Sequence, residues 1–280
     1  MKVSLIIPTY NRENALVNTI GDCLSQDFKD LEIIVIDQTK QHQTDTTKYI
    51  ESIKKRIVYI TEDIAGLTRA RNIGARNASG DILIFIDDDV VLDTDFVSQH
   101  IKNYTLNNAD AVQGRIIEDD SEPKNKPQWV DNKIRFSGSN NCISHGKTNT
   151  LTGCNFSVKK TAYLDVGGFD ERYTKSSNNE DSDFGLRLFK NNFNIVFSPE
   201  AKLKHLRITS GGVDTGIESQ KLSLSYYYCE LLFARKHFSY PVVLHYKARL
   251  MWRGIKAIIK LVKYADKKAL TALDNQLSNK

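Results

Sequence analysis

Residues 82–89 read ILIFIDDD, so five apolar residues run directly into three consecutive aspartates. A short apolar run rich in isoleucine is typical of a strand that is buried on both faces. Three adjacent carboxylates at the end of a strand repel one another unless a cation neutralises them. Mg²⁺ and Mn²⁺ prefer oxygen ligands, and substrate phosphates often complete their coordination. The stretch therefore predicts a strand that ends at a divalent-metal site, with a solvated acidic turn as the alternative.

The residues around this stretch alternate between predicted strands and helices. Strands are expected at 3–7, 31–36, 57–60 and 82–86, and helices after Asn11 (which can cap the first of them), near 44–55 and near 68–78. Such alternation is typical of an α/β fold with a mainly parallel, Rossmann-like sheet flanked by helices. Ligands bind these sheets beyond the carboxyl ends of the strands. Thr9, Asp37 and the aspartates at 87–89 occupy those ends, so we expect them to share one crevice.

A second acidic pair, Glu180-Asp181, opens a helix that is predicted to run through Lys190. A general base must reach a hydroxyl proton and must hold a suitable pKa. The amino terminus of a helix would lower the pKa of a carboxyl group there, whereas a closed and desolvated crevice would raise it. The pair is therefore a candidate base whose pKa shift the sequence leaves open. Acids that merely favour the helix dipole are the alternative.

Two further segments carry side chains that could face the same crevice. Gly66–Ala75 contains Arg69 and Arg71, which point in different directions on a helix, so one could meet a diphosphate or a base while the other meets solvent. His205 follows a strand predicted at 194–198, which ends before a proline. It could complete an oxygen-and-imidazole metal shell, although a lone histidine is more often structural.

Several ordered motifs make the chain resemble the family 2 glycosyltransferases of the GT-A fold over roughly residues 1–240. They read IPTYNR at 7–12, VID at 35–37, GLTRARNIGA at 66–75, DDD at 87–89, GCNF at 153–156, GGFDE at 167–171 and EDSD at 180–183. Each motif is short, but their order and spacing together are specific. The resemblance implies a sugar transferase of the bacterial polysaccharide type.

The resemblance also implies a division of the chain. The expected units are a GT-A catalytic domain at 1–215, with a nucleotide-binding half at 1–117 and an acceptor half at 118–215, and a C-terminal helical region at 216–280. Inside the acceptor half, residues 118–150 are polar and rich in asparagine, serine and lysine. This composition predicts a long loop of the kind that is usually functional or mobile.

A nucleotide pocket and a metal centre follow from the same resemblance. The residues implied to bind the nucleotide are Thr9, Tyr10, Arg12, Asp37, Arg71, Asp87 and Asp88. Asp37 would hydrogen-bond a uracil-type base, and Asp87 would reach the ribose or the metal. Asp89 and His205 would ligate Mn²⁺ or Mg²⁺ between the two phosphates. Many members carry a second acid after Asp37, but Gln38 stands there in this chain, which leaves the choice among uridine, thymidine and guanosine open.

The implied reaction is an inverting transfer of a sugar from a nucleotide diphosphate to an acceptor hydroxyl. Asp181 would take the hydroxyl proton, while Gly153, Asn155 and Glu180 would shape the donor-sugar and acceptor side. A UDP-sugar is favoured as donor, with a dTDP-sugar next. The acceptor is expected to be a saccharide or lipid-linked saccharide in cell-surface polysaccharide or glycolipid synthesis. A sugar-phosphate nucleotidyltransferase and a catalytically inactive carbohydrate-binding relative are the alternatives.

Positive charge is concentrated at the end of the chain. The net charge is +5, and residues 241–280 alone hold nine lysines or arginines against two aspartates. A nucleic-acid groove through the body is therefore disfavoured. Residues 242–264 predict an amphipathic helix whose basic stripe comprises Arg249, Arg253, Lys256, Lys260, Lys263 and Lys267. We expect this helix to bind an anionic membrane surface; packing on the catalytic domain, or on a second subunit of a homo-oligomer, is the alternative.

The cysteines and the amino terminus bear on the compartment. Four cysteines are scattered without a C-x-x-C pair, which suits a reducing compartment. The apolar run at the amino terminus is broken by Pro8 and is too short for a signal peptide or a membrane span. We therefore expect a cytoplasmic protein, held peripherally at the inner face of the cell membrane if the tail binds lipid.

Overall fold

The computed structural model of the protein describes residues 1–119, 121–173, 178–208, 210–212 and 224–256. Its first half alternates strands and helices as β1 (Val3–Thr9), α1 (Asn14–Leu24), β2 (Leu31–Asp37), α2 (Thr44–Ile53), β3 (Val58–Thr61), α3 (Leu67–Asn77) and β4 (Ile82–Ile86). Each strand and helix predicted for this half is present. The predicted cap is wrong, because Asn11 lies in the left-handed region at φ 52° and α1 begins at Asn14 without a side-chain cap.

The second half contains shorter strands and a helical end. Its elements are β5 (Val90–Leu92), α4 (Phe96–Leu106), β6 (Ala111–Ile117), β7 (Trp129–Val130), β8 (Phe136–Ser137), β9 (Gly146–Lys147), β10 (Asn155–Lys159), α5 (Lys160–Asp165), α6 (Glu180–Lys190), β11 (Ile195–His205), α7 (Leu224–His237) and a helix α8 over 240–256. The segment predicted as a long loop, 118–150, therefore contains a β7–β8 hairpin and the strand β9, which pairs with β11.

Nine of the described strands form one sheet in the order β3-β2-β1-β4-β10-β6-β11-β5, with β9 beside β11. The strands β3, β2, β1 and β4 are parallel to one another. Strand β10 is antiparallel to both β4 and β6, so β6 runs in the same direction as β4. The carboxyl ends of β1, β2, β4 and β6 therefore lie at one edge, and Thr9 is opposite Asp37 in the register. The predicted α/β fold is confirmed, and its sheet is mixed, with the parallel part mainly in the first half.

Both faces of the sheet are covered, which explains why its central strands are apolar throughout. Leu5 and Ile7 of β1 belong to a core cluster on one face, whereas Ile6 belongs to a cluster on the other. Helix α3 approaches β1 so closely that a Cβ added to Gly74 would lie 2.4 Å from Cγ2 of Ile6. On the same face, the rings of Phe85 and Phe156 stack with centroids 4.9 Å apart. Close packing thus fixes the strand ends relative to one another.

Strand β11 is longer than the sequence predicts because it continues past Pro199. The register between β11 and β6 shifts between Ser198 and Lys202, so the proline falls at an irregularity, where its missing N–H is tolerated. Beyond the shift, the strand resumes pairing and ends at His205. The irregular strand thereby carries His205 to the carboxyl edge of the sheet.

The helices after β11 pack on the preceding part of the fold through a third apolar cluster. Phe233 of α7 and Val243, Tyr246 and Leu250 of α8 are buried there against residues such as Leu186 of α6. The predicted boundary between residues 215 and 216, and residues 257–264 of the predicted amphipathic helix, lie outside the described residues. Within the described ranges, no helix is long and apolar enough to cross a membrane.

Candidate active site and metal centre

The carboxyl edge of the sheet opens into a cavity of about 890 Å³. Its walls come from the ends of β4 and β6, the start of α6, the β7–β8 hairpin and α8. The predicted site residues that line it are Arg71, Asp87, Gly153, Glu180, Asp181 and His205. Side chains that are far apart in the sequence therefore meet around one space, as expected for ligands that bind beyond the carboxyl ends of parallel strands.

Asp87, Asp89 and His205 form a group that could hold a metal ion. One ligand atom from each lies within 4.8 Å of the others. His205 Nε2 is 3.2 Å from Asp89 Oδ1 and 3.9 Å from Asp87 Oδ2. Burial lowers the pKa of His205, but its hydrogen bonds to Asp89 and Glu118 and the charge of Asp87 together raise that pKa to about 10. Two carboxylates and an imidazole suit Mn²⁺ by their chemistry.

The middle aspartate of the triplet faces a different set of partners. Thr9 Oγ1 donates to Asp88 Oδ2 at 2.6 Å, and Arg12 Nε lies 3.4 Å from Asp88 Oδ1. Burial raises the pKa of Asp88 to about 7, against the hydrogen bond from Thr9 and the charge of Arg12, which lower it. Consecutive side chains alternate in direction along extended backbone. Asp87 and Asp89 therefore belong to the metal group, whereas Asp88 is held by Thr9 and Arg12.

Arg12 joins the aspartates to the segment that follows β11. Its Nη1 donates to the carbonyls of Ile208 (2.8 Å) and Ser210 (2.6 Å), and its Nη2 lies 3.5 Å from Asp89 Oδ2. The backbone N–H of Ile208 also donates to Asp89 Oδ2 at 2.9 Å. Tyr10 is half-buried, and its carbonyl accepts a hydrogen bond from the Gly212 N–H at 2.8 Å. This segment therefore lies against the predicted nucleotide residues.

Asp37 is buried at the end of β2 and is fully engaged by neighbours. Its carboxylate accepts hydrogen bonds from the Thr39 N–H (2.7 Å) and the Tyr59 hydroxyl, and it contacts His42 Nε2. The opposite ring nitrogen of His42 lies 3.2 Å from Glu13 Oε1. In the described structure, the lining of the 890 Å³ cavity includes Asp87 but neither Asp37 nor Thr9, so this cavity is not the crevice that the three strand ends were expected to share.

Arg71 is a buried residue in the wall of the cavity. Its Nη1 donates to Glu180 Oε1 at 2.9 Å and its Nη2 to Asp87 Oδ1 at 3.2 Å. Arg69, two residues earlier, is partly exposed and pairs with Glu62 at 3.1 Å. Arg71 thus lines the cavity and Arg69 does not, as two residues that point in different directions on one helix would. Burial raises the pKa of Glu180 to about 8, although Arg71 opposes that rise.

Asp181 projects into the cavity at the start of α6, where two N–H groups orient its carboxylate. The N–H of Gly153 donates to Oδ2 at 2.9 Å, and the N–H of Ser182 donates to Oδ1 at 2.6 Å. Burial raises the pKa of Asp181 above its ordinary value, outweighing these hydrogen bonds and the nearby Arg71. The direction of this shift is the one expected for a carboxyl group in a closed and desolvated crevice.

Asn155 does not reach the cavity and must be reassigned. It is fully buried in β10, where its Nδ2 donates to the carbonyls of Arg115 (2.8 Å) and Ala201 (3.0 Å). Its Oδ1 lies 3.0 Å from His100 Nε2. The structure thus places Asn155 inside the sheet as a link between strands, because β10 begins at this residue, whereas Gly153 lies in the turn before the strand.

Several residues that line the cavity were not predicted from the sequence. Glu118 directly follows β6, its Oε1 is 3.6 Å from His205 Nδ1, and it pairs with Arg207 at 2.7 Å. Asp37 and Asp87 were predicted as site residues because each stands at the carboxyl end of a predicted strand. Glu118 would have been predicted for the same reason if β6 had been recognised in the sequence. Arg135, Arg249 and Arg253 line the cavity from the hairpin and α8, and no local sequence signal places them there.

This sheet order, with an acidic and imidazole-bearing carboxyl edge, is that of the GT-A fold. A family model described as Glycosyl transferase family 2 matches residues 4–167, which is more than half of the chain. The chain therefore belongs to glycosyltransferase family 2, as its motifs predicted. A second model, described as the N-terminal domain of galactosyltransferase, matches residues 135–209.

Individual relatives match different shares of the chain. Glycosyltransferase GlyA of Streptococcus pneumoniae is 33% identical over 114 residues, which are 40% of this chain and 16% of that protein. The glucosyl-dolichyl phosphate glucuronosyltransferase of Haloferax volcanii is 23% identical over 225 residues, 73% of this chain and 69% of that protein. The chain thus spans a small part of GlyA and about two thirds of the archaeal enzyme.

Among solved structures, GalNAc-T7 with UDP, GalNAc and Mn²⁺ superimposes with a TM-score of 0.65 and 14% identity, covering 84% of this chain and 50% of that chain. At this identity the likeness shows the fold alone. It confirms the predicted helix-flanked α/β sheet of the GT-A type.

Proposed function

We propose that the protein transfers a sugar from a nucleotide diphosphate to an acceptor hydroxyl with inversion of configuration, and that a UDP-sugar is its donor. The observation that carries this proposal is the shared cavity, in which Asp181 faces the same space as Asp87 and His205. A base and a metal group around one space match a transfer between a hydroxyl and a diphosphate.

Asp87, Asp89 and His205 would hold the divalent cation, Mn²⁺ or Mg²⁺. When bound, the ion would offset negative charge on the leaving diphosphate. The residues fit it, because three carboxylate or imidazole ligands can approach one point. GalNAc-T7, which shares the fold, binds Mn²⁺ together with UDP. The predicted nucleotide residues Thr9, Tyr10, Arg12, Asp37 and Asp88 would complete the donor site beside this group.

Asp181 would act as the general base. The acceptor oxygen would attack the anomeric carbon as its proton passes to Asp181, and the bond from that carbon to the diphosphate oxygen would break with its electron pair on the diphosphate. One displacement of this kind inverts the anomeric centre. Asp181 suits the role better than Glu180, because Glu180 is buried and its carboxylate is held by Arg71 at 2.9 Å. A raised pKa also makes Asp181 a stronger proton acceptor.

The acceptor is proposed to be a saccharide or lipid-linked saccharide of cell-surface polysaccharide or glycolipid synthesis. The Haloferax volcanii relative, whose name gives a glucosyl-dolichyl phosphate acceptor, supports a lipid-linked substrate. Peripheral attachment to the inner face of the cell membrane is proposed with it. In support, Met251, Trp252 and Ile255 on α8 are exposed apolar side chains.

A thermal-shift screen of UDP-, dTDP- and GDP-sugars, each with Mn²⁺ or with a chelator, tests the donor and metal together. We expect a UDP-sugar to raise the Tm only in the presence of Mn²⁺. Proton NMR of the transferred sugar then reports the anomeric configuration of the product. Retention of the donor's configuration would contradict the single displacement, and a chain that no nucleotide sugar stabilises would contradict the donor assignment.

A further inference from the structure

One wall of the cavity is cationic and stands apart from the metal group. It is lined by Arg135 of the β7–β8 hairpin and by Arg249 and Arg253 of α8. Arg249 ties the two elements together, since its Nη2 donates to the carbonyl of Ile134 at 2.9 Å and its guanidinium lies 4.9 Å from the centre of the Tyr246 ring. The guanidinium of Arg249 is therefore held next to the residue that carries Arg135.

The charge on this wall is only partly neutralised by the protein. Among the described residues, no carboxylate lies within 4.0 Å of Arg249 or Arg253, and only Arg135 has an acidic partner, Asp131 at 2.6 Å. The acid on this side, Glu230, is buried and already engaged by the Tyr246 hydroxyl and by Asn178 Nδ2 at 2.8 Å. The wall therefore presents excess positive charge to the cavity.

The opposite wall has the reverse character. Asp87, Glu118 and Asp181 line it, and the metal group there accounts for the diphosphate of the donor. The cationic wall in the same cavity therefore calls for an anion other than the donor diphosphate, and the remaining substrate is the acceptor. Guanidinium groups bind phosphate oxygens with paired N–H donors and are favoured wherever phosphate is recognised.

The orientation of α8 argues that these arginines serve the cavity and not a bilayer. Val243, Tyr246 and Leu250 are buried against the catalytic body, which fixes the rotation of the helix. The exposed apolar residues Met251 and Ile255 each follow one of the arginines by two positions, which places them roughly 200° around the helix. A surface that entered the lipid through Met251 and Ile255 would leave the arginines on the other side.

We propose that Arg135, Arg249 and Arg253 form a binding site for a phosphate group carried by the acceptor. The proposal rests on the proposed transfer reaction and names the class of its second substrate. Guanidinium groups that line the cavity from two different elements suit the tetrahedral oxygens of a phosphate monoester, diester or diphosphate better than the planar carboxylate of an acidic sugar. An isoprenyl phosphate-linked saccharide and a phosphodiester-linked polyol both supply this chemistry.

Binding of small phosphate probes to the full chain tests the site. Calorimetry is run with UDP and Mn²⁺ in excess, so that the donor site is filled, using geranyl phosphate and ribitol 5-phosphate as probes and geraniol and ribitol as neutral counterparts. Arg253→Gln removes one cavity-lining guanidinium. Lys256→Gln removes the same charge from the next turn of α8, where Lys256 stacks on Trp252 and does not belong to the cavity lining of the described residues.

We expect the phosphate probes to bind the wild-type chain and to lose about tenfold or more in affinity with Arg253→Gln, whereas Lys256→Gln stays within about twofold. Tighter binding of geranyl phosphate would assign the phosphate to a lipid carrier, and tighter binding of ribitol 5-phosphate would assign it to a polyol. Equal binding to Arg253→Gln and wild type, equal losses in both variants, or equal binding of the neutral counterparts would overturn the proposal. Mn²⁺-dependent UDP binding, measured separately on the wild-type chain, shows whether the proposed transferase function fails instead.

Discussion

Replacing Gly153 by alanine is expected to damage the active site and the stability of the protein together. A Cβ at this position would lie 2.2 Å from Nη2 and 2.6 Å from Cζ of Arg71. A guanidinium at the end of a long side chain can often move, but this one is held by Glu180 and Asp87 and has 1% of its side chain exposed. Relief of the clash would break one of these ion pairs or would shift the Gly153 N–H away from Asp181.

The size of the effect follows from the packing. Overfilling a closely packed site costs about 2–3 kcal/mol. At roughly 2–4 °C per kcal/mol for a chain of this size, the Tm should fall by about 4–12 °C. The rate of sugar transfer should fall further, by about 10²-fold, because a shift of the Gly153 N–H misplaces the proposed base. Differential scanning fluorimetry and a transfer assay with the donor found in the nucleotide screen measure the two effects.

Gly21→Ala provides the matched control. Gly21 lies in α1, where an added Cβ would meet nothing closer than the Tyr49 hydroxyl at 3.8 Å. Alanine is preferred to glycine within a helix by about 0.5–1 kcal/mol, so this variant should keep its transfer rate and keep or raise its Tm. If Gly153→Ala behaved like Gly21→Ala in both assays, the close approach of Gly153 to Arg71 would be refuted.

Three further substitutions separate the roles of the remaining residues. Asp181→Asn should lower the transfer rate by about 10²–10⁴-fold and leave the affinity for UDP nearly unchanged. Asp165→Asn makes the same change at an exposed site and should alter neither the rate nor the affinity. A wild-type transfer rate for Asp181→Asn would exclude Asp181 as the base. Asp89→Ala should weaken UDP binding in calorimetry with Mn²⁺ and have little effect without it, so equal losses in both conditions would argue against a metal ligand. Burial lowers the pKa of His100 to about 4, so the folded state disfavours its protonation, and stability should fall as the pH drops below about 6.5. Urea unfolding should therefore show that the wild type loses about 2 kcal/mol more than His100→Gln between pH 7 and pH 5, and parallel losses would contradict this.

The first half of the fold could be predicted because its signals are local. The strands β1, β2 and β4 are short apolar runs that end in polar residues, and the sheet rule alone brings Thr9, Asp37 and Asp87 to one edge. The bounds of β11 could not be predicted in this way. Proline normally argues against a strand interior. Strand β11 nevertheless contains Pro199, because the register of its pairing with β6 shifts at that point, and the sequence of β11 alone does not show this shift.

Site residues were predictable where one strand end or one helix start fixes their direction. Asp87, just after β4, and Asp181, at the start of α6, are of this kind. Asn155 was predicted to line the site because it is only two residues from Gly153. Strand β10 begins at Asn155, however, and its side chain is held inside the sheet. The direction of the Asp181 pKa shift depends on the desolvation created by elements distant in sequence. No local pattern reports that quantity.

The tail shows why charge periodicity alone could not assign a partner to α8. The sequence places Arg249 and Arg253 in one basic stripe, and a stripe of this kind is compatible with a lipid surface or with a protein cavity. The choice is made by the rotation of the helix, which is set by the burial of Val243, Tyr246 and Leu250 against the hairpin and α7. Once those side chains are buried, the first two arginines of the stripe face the cavity, and the exposed side chains of Met251 and Ile255 lie on another face. Acceptor recognition and membrane attachment are therefore compatible functions of one helix, because they use different faces.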